Sequence, residues 1–296
     1  MTKRKTIPKG ALLVTSYEKL ETFTAKFAEG HFNLLIIVGG AGLAKSQTVR
    51  QILGGSALWI EGSATAFGMY QELWKHRGRP VVIDDVDALY TDRAAIRLLK
   101  CLCQTDPVKS VSWFSGAVGE DKGVPRQFET TSKVIIIAND WKTLSENVYA
   151  VQNRGHLIFF RPDLEEVHRK VAQWFWDEEI FAWIGRHLHL LPGITMRHYV
   201  RASELKDAGM DWFDVLLSEG FSPKTLLVAK LRDDDSYPDE NARIKAFKEL
   251  GGGGRSTYFN HAAKLKLSGK ISPVDVLLQN PGRRHAGRLR VVGGAE

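Results

Sequence analysis

Short apolar segments alternate with amphipathic segments between residues 33 and 160. Five apolar segments of three to five residues, partly β-branched, have the pattern of strands covered on both faces: Leu34–Val38, Ala57–Ile60, Val81–Ile83, Val134–Ala138 and His156–Phe160. Helical periodicity lies between them, over residues 46–53, 64–76, 92–104 and about 144–152. This alternation predicts an α/β fold in which a parallel sheet lies between layers of helices.

The part of the chain after residue 163 is predicted to be helical. Asp163 is a suitable N-cap for a helical region that covers residues 164–217. Three further helical segments follow, at about 223–231, 241–250 and 256–267, and four glycines separate the last two. Ser256 is expected to cap the last of these helices.

Composition excludes several classes of protein. No apolar run approaches the ~18 residues of a membrane helix, and no apolar segment of a secretory signal follows the basic N-terminus. Two cysteines, Cys101 and Cys103, supply neither a disulfide framework nor a set of metal ligands. We therefore expect a cytoplasmic protein without membrane contact.

The net charge of +7 is concentrated at the two ends of the chain. Residues 1–14 contain four basic residues and no acidic one, and residues 221–296 contain 14 basic and 8 acidic residues. The part between them has a small acidic excess. Two interpretations of the basic ends remain open: contact with a polyanion such as nucleic acid, or solvated tails that aid solubility.

A glycine-rich turn directly follows the first predicted strand, with the sequence Gly39-Gly40-Ala41-Gly42-Leu43-Ala44-Lys45-Ser46. Glycines let backbone N–H groups curl around phosphates, and a helix N-terminus favours an anion. In such a turn Lys45 reaches the β- and γ-phosphates of ATP, the Ser46 hydroxyl binds Mg²⁺, and Gln47 ends the cofactor-binding segment. Alanine stands at position 44, where the usual motif has glycine, and we expect it to be tolerated because it is small and suits a helix.

Polar residues also stand at the ends of other predicted strands. Asp84 and Asp85 follow the third strand, where Asp84 is expected to hold Mg²⁺ and Asp85 to polarise the attacking water. Asn139 follows the fourth strand, and Arg154 precedes the fifth. Arg197 stands early in a helix of the helical region.

The order and spacing of these features resemble those of AAA+ ATPases over about residues 14–217. Gly39–Ser46 resembles the Walker A motif, Val81–Asp85 resembles Walker B, and Asn139 matches sensor 1. Arg154 matches the arginine finger and Arg197 matches sensor 2, with Arg201 as the competing choice for sensor 2. The resemblance implies an αβα sandwich with a five-stranded parallel sheet, a helical lid, and a homo-oligomeric ring or spiral.

Details of the motifs are similar to particular AAA+ groups. The Ala-Lys-Ser-Gln ending of the turn is similar to minichromosome maintenance helicases and MoxR-type chaperones, whereas the Asp84-Asp85 pair is similar to bacterial replication initiators. Segments 110–115 and 126–131 are predicted to form a hairpin like one inserted before sensor 1 in DNA-handling members.

The predicted domains follow from these assignments. They are a basic N-terminal tail (1–13), the nucleotide-binding core (14–162), the helical lid (163–220), a helical appendage (221–270) and a flexible basic tail (271–296). The appendage has the pattern of a helix-turn-helix, with Tyr258, Asn260, His261 and Lys264 available on its second helix, although helical hairpins with glycine turns are common.

Three functional hypotheses remain open. The first is an AAA+ ATPase that uses ATP and Mg²⁺ to remodel DNA or a DNA-bound complex, as a replication initiator, helicase, helicase loader or transposition regulator. The second is a MoxR-like chaperone with a protein client, and the third is a nucleotide-gated assembly scaffold with weak hydrolysis. The basic ends and the predicted helix-turn-helix favour the first.

Overall fold

The computed structural model describes residues 7, 10–86, 92–115, 118–119, 123–140 and 149–265, without the side chains of 149 and 150. Contacts along the chain divide it into two compact units, residues 1–166 and 167–296. Among the described residues, no helix combines the length and apolar composition that crossing a bilayer requires. The predicted tail 271–296 lies outside the described residues.

The first unit contains a sheet of six parallel strands with helices, which confirms the predicted α/β fold. Its strands are β1 (Leu12–Val14), β2 (Leu34–Val38), β3 (Leu58–Glu61), β4 (Val81–Asp84), β7 (Val134–Ala138) and β8 (His156–Phe160), in the order β1-β8-β2-β7-β4-β3. A separate antiparallel pair, β5 (Lys109–Ser112) and β6 (Gln127–Thr130), forms the predicted hairpin.

The expectation of five strands was wrong by one. β1 pairs with β8, so Leu12 and Leu13 lie in the sheet although the sequence assigned them to the tail. Leu12 and Leu13 are each more than 40% exposed, so this three-residue edge strand, although apolar throughout, is not covered on both faces as β2 and β7 are.

In the described part of the first unit, α-helices lie between these strands: α1 (Tyr17–Ala28), α2 (Lys45–Leu53), α3 (Ala66–Lys75), α4 (Arg93–Leu102) and α5 (Tyr149–Gln152). Residues 144–148, where the fourth predicted helix was to begin, lie outside the described residues. The helix α1 was not predicted. Its N-cap is Ser16, whose side chain accepts a hydrogen bond from the Lys19 N–H at 3.3 Å.

Helix α6 (Leu164–Val171) crosses the boundary between the units. Asp163 caps it as predicted, because its carboxylate accepts a hydrogen bond from the Glu166 N–H at 2.8 Å. The second unit then contains α7 (Glu178–Arg186), α8 (Met196–Asp207), α9 (Phe213–Ser218), α10 (Pro223–Asp233), α11 (Glu240–Glu249) and α12 (Arg255–Leu265). Ser256 does not cap α12, since this helix already begins at Arg255.

The buried strands determine where the polar residues of the first unit meet. Every residue of β2 and β7 is buried, and Val38 pairs with Ala138 while Asp84 pairs with Ile137. Since parallel strands end at the same edge of a sheet, the residues that follow β2, β4 and β7 come together there. We call this the carboxyl edge of the sheet, and its opposite the amino edge.

Candidate functional site

The turn after β2 begins in close contact with the neighbouring strands. The Gly39 N–H donates a hydrogen bond to the Ala138 carbonyl at 3.2 Å. A Cβ atom at Gly39 would lie 2.6 Å from the Phe160 carbonyl oxygen, which is closer than a carbon atom can approach. Glycine is therefore required at this position by the backbone of β8. Further along the turn, Gly40 and Ala41 are exposed, and Gly42 has a positive φ of 74°.

The Lys45 ammonium group is held inside this turn. It donates hydrogen bonds to the carbonyl oxygens of Gly39 (2.9 Å) and Gly40 (2.8 Å) and to the Asn139 side-chain oxygen (3.0 Å). The Lys45 residue is only 5% exposed, so its charge is shielded from water. A buried cation held by neutral oxygens at the start of a helix is well suited to an anionic ligand.

Ala44 has a backbone conformation that the sequence argument did not anticipate. It lies one residue before α2, at the N-cap, with φ 53° and ψ 28° in the left-handed region. We expected alanine to be tolerated there because it suits a helix. That reason was wrong, because Ala44 precedes the helix and does not have a helical backbone. The conformation costs an L-residue roughly 1–2 kcal/mol, which explains why glycine is the usual residue at such a position.

Asp84 ends β4 and is the best candidate for a metal ligand. Burial raises the pKa of its carboxyl above the usual value, the carboxylates of Glu61 and Asp85 raise it further, and a hydrogen bond from Ser46 opposes the shift. The Asp84 carboxylate and the Ser46 hydroxyl are thus neighbours. A carboxylate and a hydroxyl are oxygen ligands, and Mg²⁺ is usually held by one or two carboxylates together with phosphates of a nucleotide. These residues fit a Mg²⁺ ion of that kind.

Asn139 connects Lys45 to Asp85. Its side-chain N–H donates to the Asp85 carboxylate at 2.7 Å while its oxygen accepts from Lys45. Asp85 also has a positive φ of 54°, and its own N–H donates to the Ile137 carbonyl at 3.0 Å. The structure therefore brings together three of the predicted residues, with the exposed Asp85 carboxylate at the end of the chain of hydrogen bonds.

Gln47 and Glu61 also lie near the carboxyl edge. Gln47 is exposed in the first turn of α2. Glu61 was not predicted as a site residue, but it pairs in register with Asp84 and forms an ion pair with Arg50. The only sequence signal for Glu61 was its position at the end of an apolar segment, a signal that any strand end can show.

Arg154 lies at the amino edge of the sheet. It precedes β8, and the next residue, Gly155, has so little space that a Cβ there would be 2.7 Å from the Leu34 carbonyl oxygen. Leu34 begins β2, and the glycine-rich turn starts five residues later, about 16 Å along the strand at ~3.3 Å per residue. One guanidinium N–H of Arg154 donates to the Lys100 carbonyl in the last turn of α4.

The two choices for a second arginine differ in their surroundings. Both are exposed on α8 in the second unit. Arg201 lies 3.5 Å from the carboxylate of Glu219, which also contacts His198 at 3.1 Å. Arg197 has no such ion pair with the described residues.

Helices α10, α11 and α12 pack around a small apolar core that includes Phe247 and Tyr258. Tyr258 is fully buried, so the expectation that it lies on an exposed face was wrong. His261 is partly buried, and its Nδ1 lies 2.8 Å from the Thr225 hydroxyl. The exposed face of α12 is instead formed by Arg255, Ser256, Phe259, Asn260, Ala263 and Lys264.

No protein-family model matches the chain, and no curated protein matches it. Among solved structures it is similar to a Walker-type ATPase of Pyrococcus abyssi, with 12% identity, a TM-score of 0.42, and coverage of 86% of this chain and 90% of that one. It is similar to Cdc6p from Pyrobaculum aerophilum, with 12% identity, a TM-score of 0.49, and coverage of 89% and 88%. A katanin structure concerned with self-assembly has 12% identity, a TM-score of 0.40, and coverage of 90% and 82%. At these values, a function must be argued from the chain's own residues.

Proposed function

We propose that this protein binds ATP with Mg²⁺ and hydrolyses it as an AAA+ ATPase. The observation that carries the proposal is the set of contacts around Lys45. Its buried ammonium lies inside a glycine-rich turn at a helix N-terminus and is connected through Asn139 to Asp85. A phosphate-binding cation and a carboxylate that can act on water are thus joined through one amide.

Each residue of the carboxyl edge has a distinct role in this proposal. The backbone N–H groups of Gly40 to Ser46 and the Lys45 ammonium bind the phosphates. Ser46 and Asp84 hold Mg²⁺, which supplies positive charge to the phosphoryl oxygens. Asp85 accepts a hydrogen bond from the attacking water and orients it, and Asn139 keeps the Asp85 carboxylate in place.

Arg154 is proposed to act on the ATP of a neighbouring copy. About 16 Å along the sheet separates it from the glycine-rich turn of its own chain, a distance that its side chain does not span. In a ring or spiral, its guanidinium would stabilise charge on the phosphoryl group bound by the next subunit. Arg197 is proposed as the sensor 2 residue, because Arg201 is already close to Glu219.

We propose DNA, or a complex bound to DNA, as the substrate of remodelling. The exposed face of α12 combines the cations Arg255 and Lys264 with the polar Asn260 and the aromatic Phe259, over which the Arg255 guanidinium lies at 5.3 Å. Cations and an exposed aromatic ring suit phosphate contacts and stacking on bases. Phe114, beside the β5–β6 hairpin, is 75% exposed and offers a second aromatic contact, whereas Trp113 packs on Phe67 and Tyr70.

A nucleotide-gated scaffold is the second candidate, and one observation favours it. The residue expected to orient water is an aspartate, one methylene shorter than the more common glutamate, and it is held by Asn139. Such a site would bind ATP and hydrolyse it slowly. In the described part of the chain, no contact favours a protein client of the MoxR-like kind over these two.

Two variants at the carboxyl edge test the ATPase proposal. Lys45→Ala should weaken ATP binding about 10- to 100-fold, since charge-assisted contacts contribute roughly 1.5–3 kcal/mol. Asp85→Asn should keep the ATP affinity and lower turnover by ~10²–10⁴-fold, as loss of a general base does. Titration with a fluorescent ATP analogue and single-turnover hydrolysis measure the two effects, with circular dichroism as the check on folding.

The same assay separates the candidate functions. Turnover by the wild-type chain that rises with added duplex or single-stranded DNA supports the DNA substrate, and Arg255→Ala with Lys264→Ala should reduce that stimulation and the salt dependence of binding. Tight ATP binding with very slow hydrolysis, unchanged by DNA, supports the scaffold. Unchanged ATP affinity in Lys45→Ala would contradict both the ATPase and the scaffold, since each requires ATP to bind at Lys45.

A further inference from the structure

A tyrosine outside the glycine-rich turn contacts its backbone. Tyr17 is the first residue of α1, and its hydroxyl donates a hydrogen bond to the Leu43 carbonyl oxygen at 3.1 Å. The Leu43 carbonyl belongs to the peptide that joins Leu43 to Ala44. This is the peptide immediately before the residue with the strained backbone.

The orientation of that peptide matters for an anion in the turn. In a trans peptide the carbonyl and the N–H point in opposite directions. A hydrogen bond that holds the Leu43 carbonyl on the side of α1 therefore directs the Ala44 N–H to the other side. Because φ of Ala44 is 53°, this arrangement carries backbone strain, and a contact to the Leu43 carbonyl adds to the hydrogen bonds by which Thr48 holds the Ala44 carbonyl.

Tyr17 is well placed to supply that contact. The Tyr17 residue is 2% exposed, and its ring packs edge-to-face on Phe160 with centroids 5.1 Å apart. Its own N–H donates to the Glu166 carboxylate at 2.8 Å, so both ends of the residue are fixed. Burial, with a further contribution from Glu166, raises the pKa of the phenol above its usual value of about 10. The hydroxyl consequently remains a donor over the whole range in which enzymes are assayed.

We propose that the Tyr17 hydroxyl is a positioning group for the nucleotide site, which holds the Leu43–Ala44 peptide so that the Ala44 N–H can donate to a phosphate. The proposal rests on ATP binding as proposed above. It adds to that function a residue 22 positions before the glycine-rich turn, on an element that the sequence did not predict. It also explains how the turn tolerates alanine at position 44, because the hydroxyl offsets part of the strain there.

Tyr17→Phe is the direct test, since it keeps the ring and removes only the hydroxyl. Tyr70→Phe is a matched control, because Tyr70 is also buried in the first unit and its hydroxyl also donates to a backbone carbonyl, that of Pro125 at 2.8 Å. Both variants should lose a similar, small amount of thermal stability. Only Tyr17→Phe should weaken the affinity for the Mg²⁺ complex of ATP, by about 2- to 10-fold, as removal of one hydrogen bond does.

A second measurement keeps the test independent of hydrolysis. Amide hydrogen exchange of the turn in the nucleotide-free protein should be faster in Tyr17→Phe than in wild type, and unchanged in Tyr70→Phe. In an Ala44→Gly background the effect of Tyr17→Phe on affinity should be smaller, because glycine adopts the left-handed conformation without help.

The outcomes are distinguishable from those of the ATPase proposal. If the wild-type chain does not bind ATP, the proposed function is wrong and the positioning role of Tyr17 is wrong with it. If the wild type binds ATP and Tyr17→Phe binds it equally well, the positioning role is wrong while the ATPase proposal stands. Equal losses of affinity in Tyr17→Phe and Tyr70→Phe would also overturn it, since they would indicate a general effect of lost stability.

Discussion

The two edges of the parallel sheet hold their charged side chains in different ways. At the carboxyl edge, Lys45 donates to the Gly39 and Gly40 carbonyls, and side chains also contact one another: Lys45 donates to Asn139, and Asn139 donates to Asp85. At the amino edge, two cations donate to backbone carbonyls, without a carboxylate or amide side chain among their hydrogen-bond partners in the described residues. There Lys133 bonds to the Gly30 carbonyl and Arg154 to the Lys100 carbonyl.

This difference indicates what each edge can do. The carboxylates of the carboxyl edge lie close enough to affect one another: burial raises the pKa of Asp84 most, and the carboxylates of Glu61 and Asp85 raise it further. A carbonyl oxygen fixes the direction of a cation but leaves its full charge. The carboxyl edge is therefore suited to chemistry on a bound ligand, and Arg154 at the amino edge can present positive charge to an anion held elsewhere.

The largest expected effect tests whether Arg154, at the amino edge of one copy, acts on ATP bound at the carboxyl edge of another copy. Arg154→Ala should bind ATP normally and lose turnover by ~10³–10⁵-fold, the range seen for arginine fingers. Wild-type activity per subunit should rise with protein concentration. Steady-state hydrolysis and sedimentation over the same concentration range measure both.

Mixing variants and a neighbouring control make this test specific. Arg154→Ala mixed with Asp85→Asn should regain part of the activity, because some interfaces then combine an intact Asp85 with an intact Arg154. Lys133→Met removes another cation that donates to a carbonyl at the same edge, and it should leave turnover unchanged. No recovery in the mixture, with activity independent of dilution, would show that Arg154 has only a structural role, through its contact with the Lys100 carbonyl of α4.

A smaller effect is expected for the charge at Asp84. Because its pKa is raised in the folded chain, the ionised carboxylate lowers the free energy of unfolding at neutral pH. Asp84→Asn should therefore raise the melting temperature of the nucleotide-free protein at pH 7.5, and the gain should shrink as the pH falls toward 4. The same variant should weaken ATP binding on the order of tenfold in Mg²⁺.

For this interpretation to hold, Asp84→Asn must raise the melting temperature of the nucleotide-free protein and at the same time weaken its binding of ATP in Mg²⁺. Without Mg²⁺, Asp84→Asn and wild type should bind ATP with more similar affinity. A lower melting temperature at pH 7.5 would mean that the hydrogen bond from Ser46 outweighs burial, contrary to the raised pKa.

The smallest effect concerns the backbone of the turn. Ala44→Gly should raise the free energy of unfolding by about 0.5–1 kcal/mol, because relief of the left-handed strain exceeds the entropy that glycine adds to the unfolded chain. Urea denaturation checks this value. Ala25→Gly, inside α1, is the control, and it should lower the free energy of unfolding by roughly 0.5–1 kcal/mol. Loss of stability in both variants would indicate that Ala44 is not strained.

Much of the sheet could be predicted because its strands are covered on both faces. The observed β2, β7 and β8 have the predicted bounds, β4 is one residue longer at its end, and β3 is shifted by one residue at both ends. The exposed edge strand β1 could not be found in this way. Helix α1 was not predicted, although its buried residues, Tyr17, Leu20, Thr24 and Phe27, are spaced three or four positions apart as on one face of a helix.

The residue types of the candidate site were readable from the sequence, because phosphate binding needs glycines and a lysine at a helix start, and such groups are adjacent along the chain. Contacts between distant residues were decided by the tertiary structure. Lys45 and Asn139 are 94 residues apart, and they meet only because β2 and β7 pair in parallel with Val38 beside Ala138.

The same division applies to conformation and burial. Local sequence determined that residues 255–265 form a helix, but packing against α10 and α11 decided that Tyr258 faces inward and Asn260 outward. Likewise, the sequence shows alanine at position 44, but only the folded chain shows that its backbone is left-handed and that the carbonyl before it accepts a hydrogen bond from Tyr17. Helix propensity depends on a few neighbouring residues in the sequence. Whether a side chain is buried, and whether a backbone is strained, depends on residues that come close only in the folded chain.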